Sequence, residues 1–254
     1  MDIKDADRVD IPGVGERELP RPLPLAWELV HVAFAVVAAG LAWALMPGMP
    51  ERVAVHFDMA GNANGWIPKG PAVVVLSPAI IVILAACLAF CHLALLRAKC
   101  PDAEASPAAA YGYAALSRAQ SIALVGLGAL YDAAFLLMPL QMAGLVSVDL
   151  CVGALIAASL VAVAVCIWTS FRYGAYGRRV ARRLDTDAPQ LESDDAHWTV
   201  WGLYRNADDP SLWVTRRYGM GITINAAHPA AWLQLAALIA VLVALGLTFS
   251  YVPS

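Results

Sequence analysis

The sequence predicts an all-α polytopic membrane protein with about five transmembrane helices, a short extracytoplasmic hairpin-like loop and a small cytoplasmic strand-and-turn module. Three observations carry this expectation. Hydrophobic residues make up 60% of the 254 and charged residues only 15%, a balance foreign to soluble domains. Five apolar runs, roughly 24–46, 71–96, 119–143, 147–171 and 229–252, each reach the ~20 residues that a helix needs to cross hydrocarbon. All seventeen Lys and Arg fall outside those runs, so charge is segregated along the chain and not dispersed over a folded surface.

Residues 1–23 mix six acids with Lys4, Arg8, Arg17 and Arg21, several Pro and Gly and no apolar period, the composition of a flexible cytoplasmic tail. The acidic lead-in differs from the basic start of a secretory signal, so the first apolar run is expected to stay as a helix. A four-helix membrane region follows over 24–171, with loop 47–70 inside it. Basic residues set its orientation. Connection 97–118 holds Arg97, Lys99 and Arg118, and the start of connection 172–228 holds Arg172, Arg178, Arg179, Arg182 and Arg183. The opposite connections have only Arg52 and Lys69 in one and no basic residue in the other, Gly144–Val146. The positive-inside rule then places the N-terminus in the cytoplasm and the C-terminus and loop 47–70 outside. Five Cys, four of them in apolar runs, give no disulfide framework and read as small buried hydrophobes.

In the first outside loop, Val53-Ala-Val-His-Phe57 alternates as a short strand and Gly61-Asn-Ala-Asn-Gly65 supplies turn residues, a compact hairpin-like cap. His56 and Asp58, two apart, would share a strand face, but two ligands do not close a zinc site, and no metal is expected. Pro50, Val53, His56-Phe57, Gly61, Gly65-Trp66 and Lys69 resemble the signature of a bacterial membrane family of unknown function that includes the SdpI-type toxin-immunity and signal-transduction proteins. The resemblance implies a membrane protein with this loop outside and makes His56, Asp58, Gly61, Gly65, Trp66 and Lys69 the candidate residues of the loop. Those proteins usually have six spans, one more than expected here.

In the second run, Cys87, Cys91 and His92 fit core packing better than a haem attachment, whose spacing differs. The third run carries the one carboxylate that no helix end explains, Asp132. An ionised group at that depth costs of order 3 kcal/mol and is a functional-site hypothesis by default. With no Lys or Arg inside a run, a protonated Asp132 bonded to Ser, Thr or backbone of a neighbouring helix is the structural alternative. Glu28 and Asp149 lie near run ends, within reach of the interface. The fourth run is expected to continue as a helix past Phe171, with Tyr173 and Tyr176 at headgroup height and an arginine cluster suited to anionic lipid at about 1 kcal/mol per charge. Topology already accounts for this charge, so no nucleic-acid partner is expected.

The 172–196 segment is then a basic helix end and acidic linker, 197–228 the cytoplasmic module and 229–254 the fifth transmembrane helix. Within the module, Trp198–Tyr204 and Leu212–Val214 read as extended, Asn206–Pro210 as a turn held by its own Asx side chains, and Arg216–Gly221 as a second break. About thirty residues cannot bury a sufficient core, so Trp198, Trp201, Tyr204, Trp213 and Tyr218 need an apolar partner at the helix ends or membrane interface. Trp201, Gly202, Tyr204, Asn206, Asp209-Pro210, Arg216-Arg217, Gly219, Gly221 and Asn225 resemble a second bacterial domain of unknown function, with Ala207 where proline is usual. That resemblance implies no activity. Arg216 and Arg217 suit headgroup contact or a bond to the Asp208/Asp209 turn better than a soluble phosphate, because the glycines do not follow a strand and open a helix.

No H-E-x-x-H, G-x-S-x-G or P-loop motif occurs, so neither catalysis nor a cofactor is expected. The function expected first is a sensor, immunity or partner-binding protein that meets membrane lipid, a peptide or envelope ligand outside and a cytoplasmic protein inside. The alternative is a small proton-coupled transporter using Asp132.

Overall fold

A computed structural model describes residues 7–58, 60–98, 106–187, 194–199, 201–216 and 221–250. In chain order it forms β1 (Arg8–Ile11), β2 (Gly15–Glu18), α1 (Leu29–Leu45), β3 (Arg52–Phe57), β4 (Ala63–Pro68), α2 (Pro71–Arg97), α3 (Pro107–Phe135), α4 (Leu137–Met142), α5 (Val148–Tyr173), α6 (Arg178–Leu184), β5 (Trp213–Thr215), β6 (Ile222–Ile224) and α7 (Pro229–Ser250). Among the described residues, four helical runs are long and apolar enough to cross a membrane: Leu25–Gly48, Pro71–Arg97, Pro107–Met142 and Val148–Leu184. The fifth expected run forms α7, whose described apolar part, Pro229–Ala240, is shorter than a span.

The chain divides into two compact units. One comprises Ala26–Ala89, Val125–Ala162 and Leu238–Ser254. Here the first loop folds as the antiparallel pair β3–β4, with Arg52 opposite Pro68 and Phe57 opposite Ala63. Val53 points inward and is fully buried with Met49, Val73 and Met142, which ties the hairpin to α2 and α4. The turn lies at Asp58–Asn62, and β4 takes up Ala63–Gly65, residues the sequence suggested for the turn. A second core joins Ala35 and Ala38 of α1 to Ile81 of α2, with Phe34, Phe135 and Leu136 around them. The break between α3 and α4 has a local cause. Pro139 has no N–H to give the Phe135 carbonyl four residues back, and the buried Ser77 hydroxyl donates to that carbonyl instead, at 3.1 Å. Inside a membrane such a replacement is what makes a helix break tolerable.

The other unit comprises Met1–Leu25, Phe90–Leu124 and Val163–Ala237. Its first surprise is a β-hairpin, β1–β2, pairing Arg8 with Glu18 through Ile11 with Gly15. The flexible tail expected over 1–23 is corrected at these residues. Val9 and Ile11 are two apart and share one strand face, and Ile11 is fully buried against Ala108 and Ala181; four-residue strands are too short to show a period in sequence. The strand pair leads into residues held on the helices: Arg118 donates to the Arg21 carbonyl, Ser121 accepts from the Leu23 amide, and His92 meets the Leu23 carbonyl at 3.0 Å. α3 therefore starts at Pro107, well before residue 119, with Arg118 inside it.

The helix expected to continue past Phe171 breaks at Gly174–Gly177. Gly174, Tyr176 and Gly177 all have positive φ, and Tyr176 is buried against Tyr113 and Trp198. Backbone contact explains the two glycines that meet here. A Cβ on Gly112 of α3 would lie 2.5 Å from the Gly177 carbonyl oxygen, and one on Gly177 would lie 2.0 Å from the Gly112 oxygen. Gly112→Ala is accordingly expected to lower stability by about 1–3 kcal/mol, read as a lower thermal midpoint in detergent, since backbone cannot move aside as a side chain can.

Candidate functional site

α1 turns a narrow stripe inward: His31, Ala35, Ala38 and Ala42 are its buried residues, a spacing of three and four that defines one helical face. Three small side chains let a neighbouring helix approach, and the fourth position supplies an imidazole. On α3 the facing residues are Gly128 and Asp132, four apart. A Cβ on Gly128 would lie 2.5 Å from His31 Cε1 and 2.5 Å from Leu88 Cδ1 of α2, so the absence of a side chain at 128 makes room for the ring. One turn on, the Asp132 Oδ2 atom lies 2.5 Å from His31 Nδ1, and both residues are fully buried.

The other ring nitrogen is also met by a carboxylate. Glu28, ending the short 3-10 turn ahead of α1, places Oε2 3.0 Å from His31 Nε2, an ion-pair distance that is off the line of a hydrogen bond. Glu28 is buried and does not reach for the interface as its sequence position suggested. Asp132 is paired with His31 and not with the Ser, Thr or backbone of the structural alternative; sequence reasoning passed over the histidine by searching for Lys and Arg alone. The signal was present in the sequence: a polar residue in the His31-Ala35-Ala38-Ala42 stripe, and Gly128-x-x-x-Asp132 on another helix. Tyr131, beside Asp132, faces elsewhere and shares a hydrogen bond with Ser159 at 2.9 Å.

In the first loop every candidate side chain has a structural duty. Asp58 accepts from the amides of Ala60 and Asn62 and from the Asn62 side chain. These donors, Asn62 first, hold its carboxyl below the ordinary carboxylate value. Because the folded value is depressed, this contribution is present above pH ~4 and lost as pH falls through the folded value. The Ala60 and Asn62 amide resonances are expected to shift in acid in the wild type and to show no such step in Asp58→Asn; an unchanged step would contradict the assignment. His56 Nδ1 lies 2.5 Å from Asn64 Oδ1, so His56 and Asp58 turn to different partners. Gly65 faces His56 across the ladder, where a Cβ would stand 2.7 Å from the His56 Cβ. Gly61 takes φ +82° in the turn, Arg52 stacks on Trp66 at 5.6 Å, and Lys69 donates to the Pro47 carbonyl at 2.9 Å, closing the base of the loop.

The C-terminal module is knitted by its patterned residues. Asn225 is fully buried: its Oδ1 accepts from the Asn206 and Ala227 amides, and its Nδ2 donates to the Asn206 and Asp209 carbonyls. Buried Tyr204 donates to Asp209 Oδ2 and accepts from Asn206 Nδ2. The expected Asx turn is present, with Asn206 Oδ1 accepting from the Asp208 amide and Asp209 Oδ1 from the Ser211 amide; Pro210, next to Asp209, is exposed. Gly202, at φ +72°, closes a tight turn at Thr199–Leu203 where a longer extended run was expected. Arg216 is exposed, its amide donating to the Gly221 carbonyl, while Arg217 and Gly219 lie outside the described residues.

The module's aromatics find the partners that its small core demands. Trp213 packs edge-on against Phe90 of α2 with centroids 5.6 Å apart and donates to Gln234 of α7. Tyr113 of α3 meets Thr215 at 3.0 Å. Trp198 packs against Tyr204 and Tyr176. Trp201 is 86% exposed.

The helices thus define a membrane protein. Residues 33–82 match a domain of unknown function, DUF1648, the type associated with SdpI proteins, and residues 207–232 match a family of unknown function, DUF5808. Comparison with curated proteins and with solved structures gives no match. Both sequence resemblances overlap these segments, whereas Glu28, His31 and Asp132 lie outside them.

Proposed function

We propose that this is an inner-membrane protein of the sensor or immunity type, with the first loop outside and the C-terminal module in the cytoplasm. The hairpin meets a peptide, toxin or envelope component, and the module meets a protein partner or lipid. One observation carries this reading: the β3–β4 hairpin and the module are each folded directly onto helices, the hairpin through Val53 and the module through Trp213 and Thr215, so a ligand that shifts helix packing acts on folded surfaces and not on loose connections. The basic residues support the orientation, since all but Arg52 and Lys69 belong to the unit that contains the module. Exposed Trp201 is a fitting contact for headgroups or a partner. This reading involves no catalysis. Deleting the gene should change sensitivity to peptide toxins or the transcript profile; no change in either contradicts it.

A second reading, a small proton-coupled transporter, is favoured by the His31–Asp132 contact. It requires a flux in proteoliposomes that Asp132→Asn abolishes without loss of expression; absence of any wild-type flux contradicts it.

A further inference from the structure

We propose that the break between α5 and α6 is a binding site for an anionic phospholipid, with Arg172 and Arg179 holding its phosphate and the last turns of α5 lying against an acyl chain. Both guanidinium groups are fixed by the protein itself. Arg179 belongs to α6, but its side chain folds back across the break: Nη1 donates to the Phe171 carbonyl near the end of α5, and the guanidinium lies over the Phe171 ring, 5.7 Å from its centroid. Gly174 leaves room for this path, since a Cβ there would stand 2.8 Å from Arg179 Cγ. Arg172 lies over the Tyr173 ring at 5.6 Å, and Tyr173 in turn meets Trp168 edge-on at 6.2 Å. A guanidinium presents its N–H donors as a planar fork that suits phosphate. Both arginines are exposed, and among the described residues neither pairs with a carboxylate.

The neighbouring apolar surface decides between a lipid and a free anion. Val163, Ile167 and Phe171 recur every four residues, which puts them on one face of α5, and all three are exposed. They belong to a run apolar enough to cross a membrane. This face ends at the very ring that carries Arg179. An acyl chain along the face and a phosphate at the arginines match both parts at once, whereas inorganic phosphate would use only the second. Charge selects the headgroup. A zwitterionic lipid brings an ammonium group that the arginines repel, while an anionic headgroup gains from each of them.

The fold also divides arginines that look like one cluster in the sequence. Arg178 lies over the ring of buried Tyr176, 5.7 Å from its centroid. Arg182 and Arg183 are exposed in the last turn of α6 and supply charge without the ring contacts that fix Arg172 and Arg179. A diffuse attraction would weigh every exposed arginine alike; a built site gives Arg172 and Arg179 the larger share.

The inference rests on α5 crossing a membrane and requires neither an outside ligand nor a protein partner, so its test does not read toxin response or flux. Full-length protein in mixed micelles is titrated with phosphatidylglycerol or phosphatidylcholine brominated on the acyl chain, and tryptophan emission is followed. The part due to Trp168, which is exposed beside Phe171 and Arg172, is taken as the difference from Trp168→Phe. Half-quenching of that part should need a mole fraction of phosphatidylglycerol at least about tenfold below that of phosphatidylcholine. Replacing Arg172 and Arg179 together by Gln should bring the two lipids level, and replacing Arg182 and Arg183 together by Gln should leave most of the difference. Quenching that is absent or equal for the two lipids in the otherwise unaltered protein overturns the proposal without reliance on any arginine variant. Equal losses from the two arginine pairs would mean diffuse charge and overturn the site, and displacement of brominated phosphatidylglycerol by millimolar inorganic phosphate would mean a free-anion site and overturn the lipid.

Discussion

Replacing His31 with leucine is expected to destabilise the protein by about 3 kcal/mol at neutral pH, more than any other single change to the helices discussed above. The substitution takes the imidazole away from fully buried Asp132, so its carboxylate must bind a proton or stay ionised in a low-dielectric site. The loss should shrink in acid, where a protonated Asp132 carries no charge. Combining His31→Leu with Asp132→Asn should recover part of it, because the stranded charge is gone. Unfolding in mixed micelles, followed by tryptophan emission at two pH values, distinguishes this from a packing defect, which would be indifferent to pH and unrelieved by the second substitution.

In the module the largest effect is expected from Asn225→Ala. Its side chain serves four backbone groups of Asn206, Asp209 and Ala227. At roughly 1 kcal/mol for each hydrogen bond, and more for groups left buried and unpaired, the loss is about 4 kcal/mol. The module has two paired strands of three residues each, too little sheet to absorb it. Amide exchange at Trp213–Thr215 should accelerate toward that of an open segment while exchange in α1 and α2 is unchanged. Trp201→Ala, at an exposed turn, should alter stability by no more than about 0.5 kcal/mol. A similar loss from both variants would contradict the distinction drawn between a buried brace and a free contact residue.

How far the sequence could be read depended on the range of the interaction. The long apolar runs announce helices through composition alone, and the Asn206–Ser211 turn through side chains that bond backbone two residues away. The first loop was legible as a hairpin, although the turn ending at Asn62 shares only Gly61 and Asn62 with the stretch that suggested it. What stayed hidden was pairing across distance. His31 and Asp132 are 101 residues apart, and a histidine, uncharged by default, does not stand out as a counter-ion. Tyr176 has the composition of an interface aromatic, but its place is fixed by the contact of Gly112 with Gly177. The β1–β2 hairpin depends on a surface offered by α3 and α6, which no local pattern contains. At the candidate site, sequence reasoning identified the costly carboxylate and missed the two groups that make it a cluster.

The central claim, a hairpin and a module displayed on opposite sides of one membrane, is tested most directly by labelling single cysteines in intact cells. In a variant lacking the native cysteines, one is placed at Asn64 in the hairpin and, separately, one at Trp201 in the module, both away from the buried cores. A membrane-impermeant thiol reagent should label position 64 in intact cells and position 201 only after permeabilisation. Labelling of both positions in intact cells, or of position 201 alone, would contradict the account.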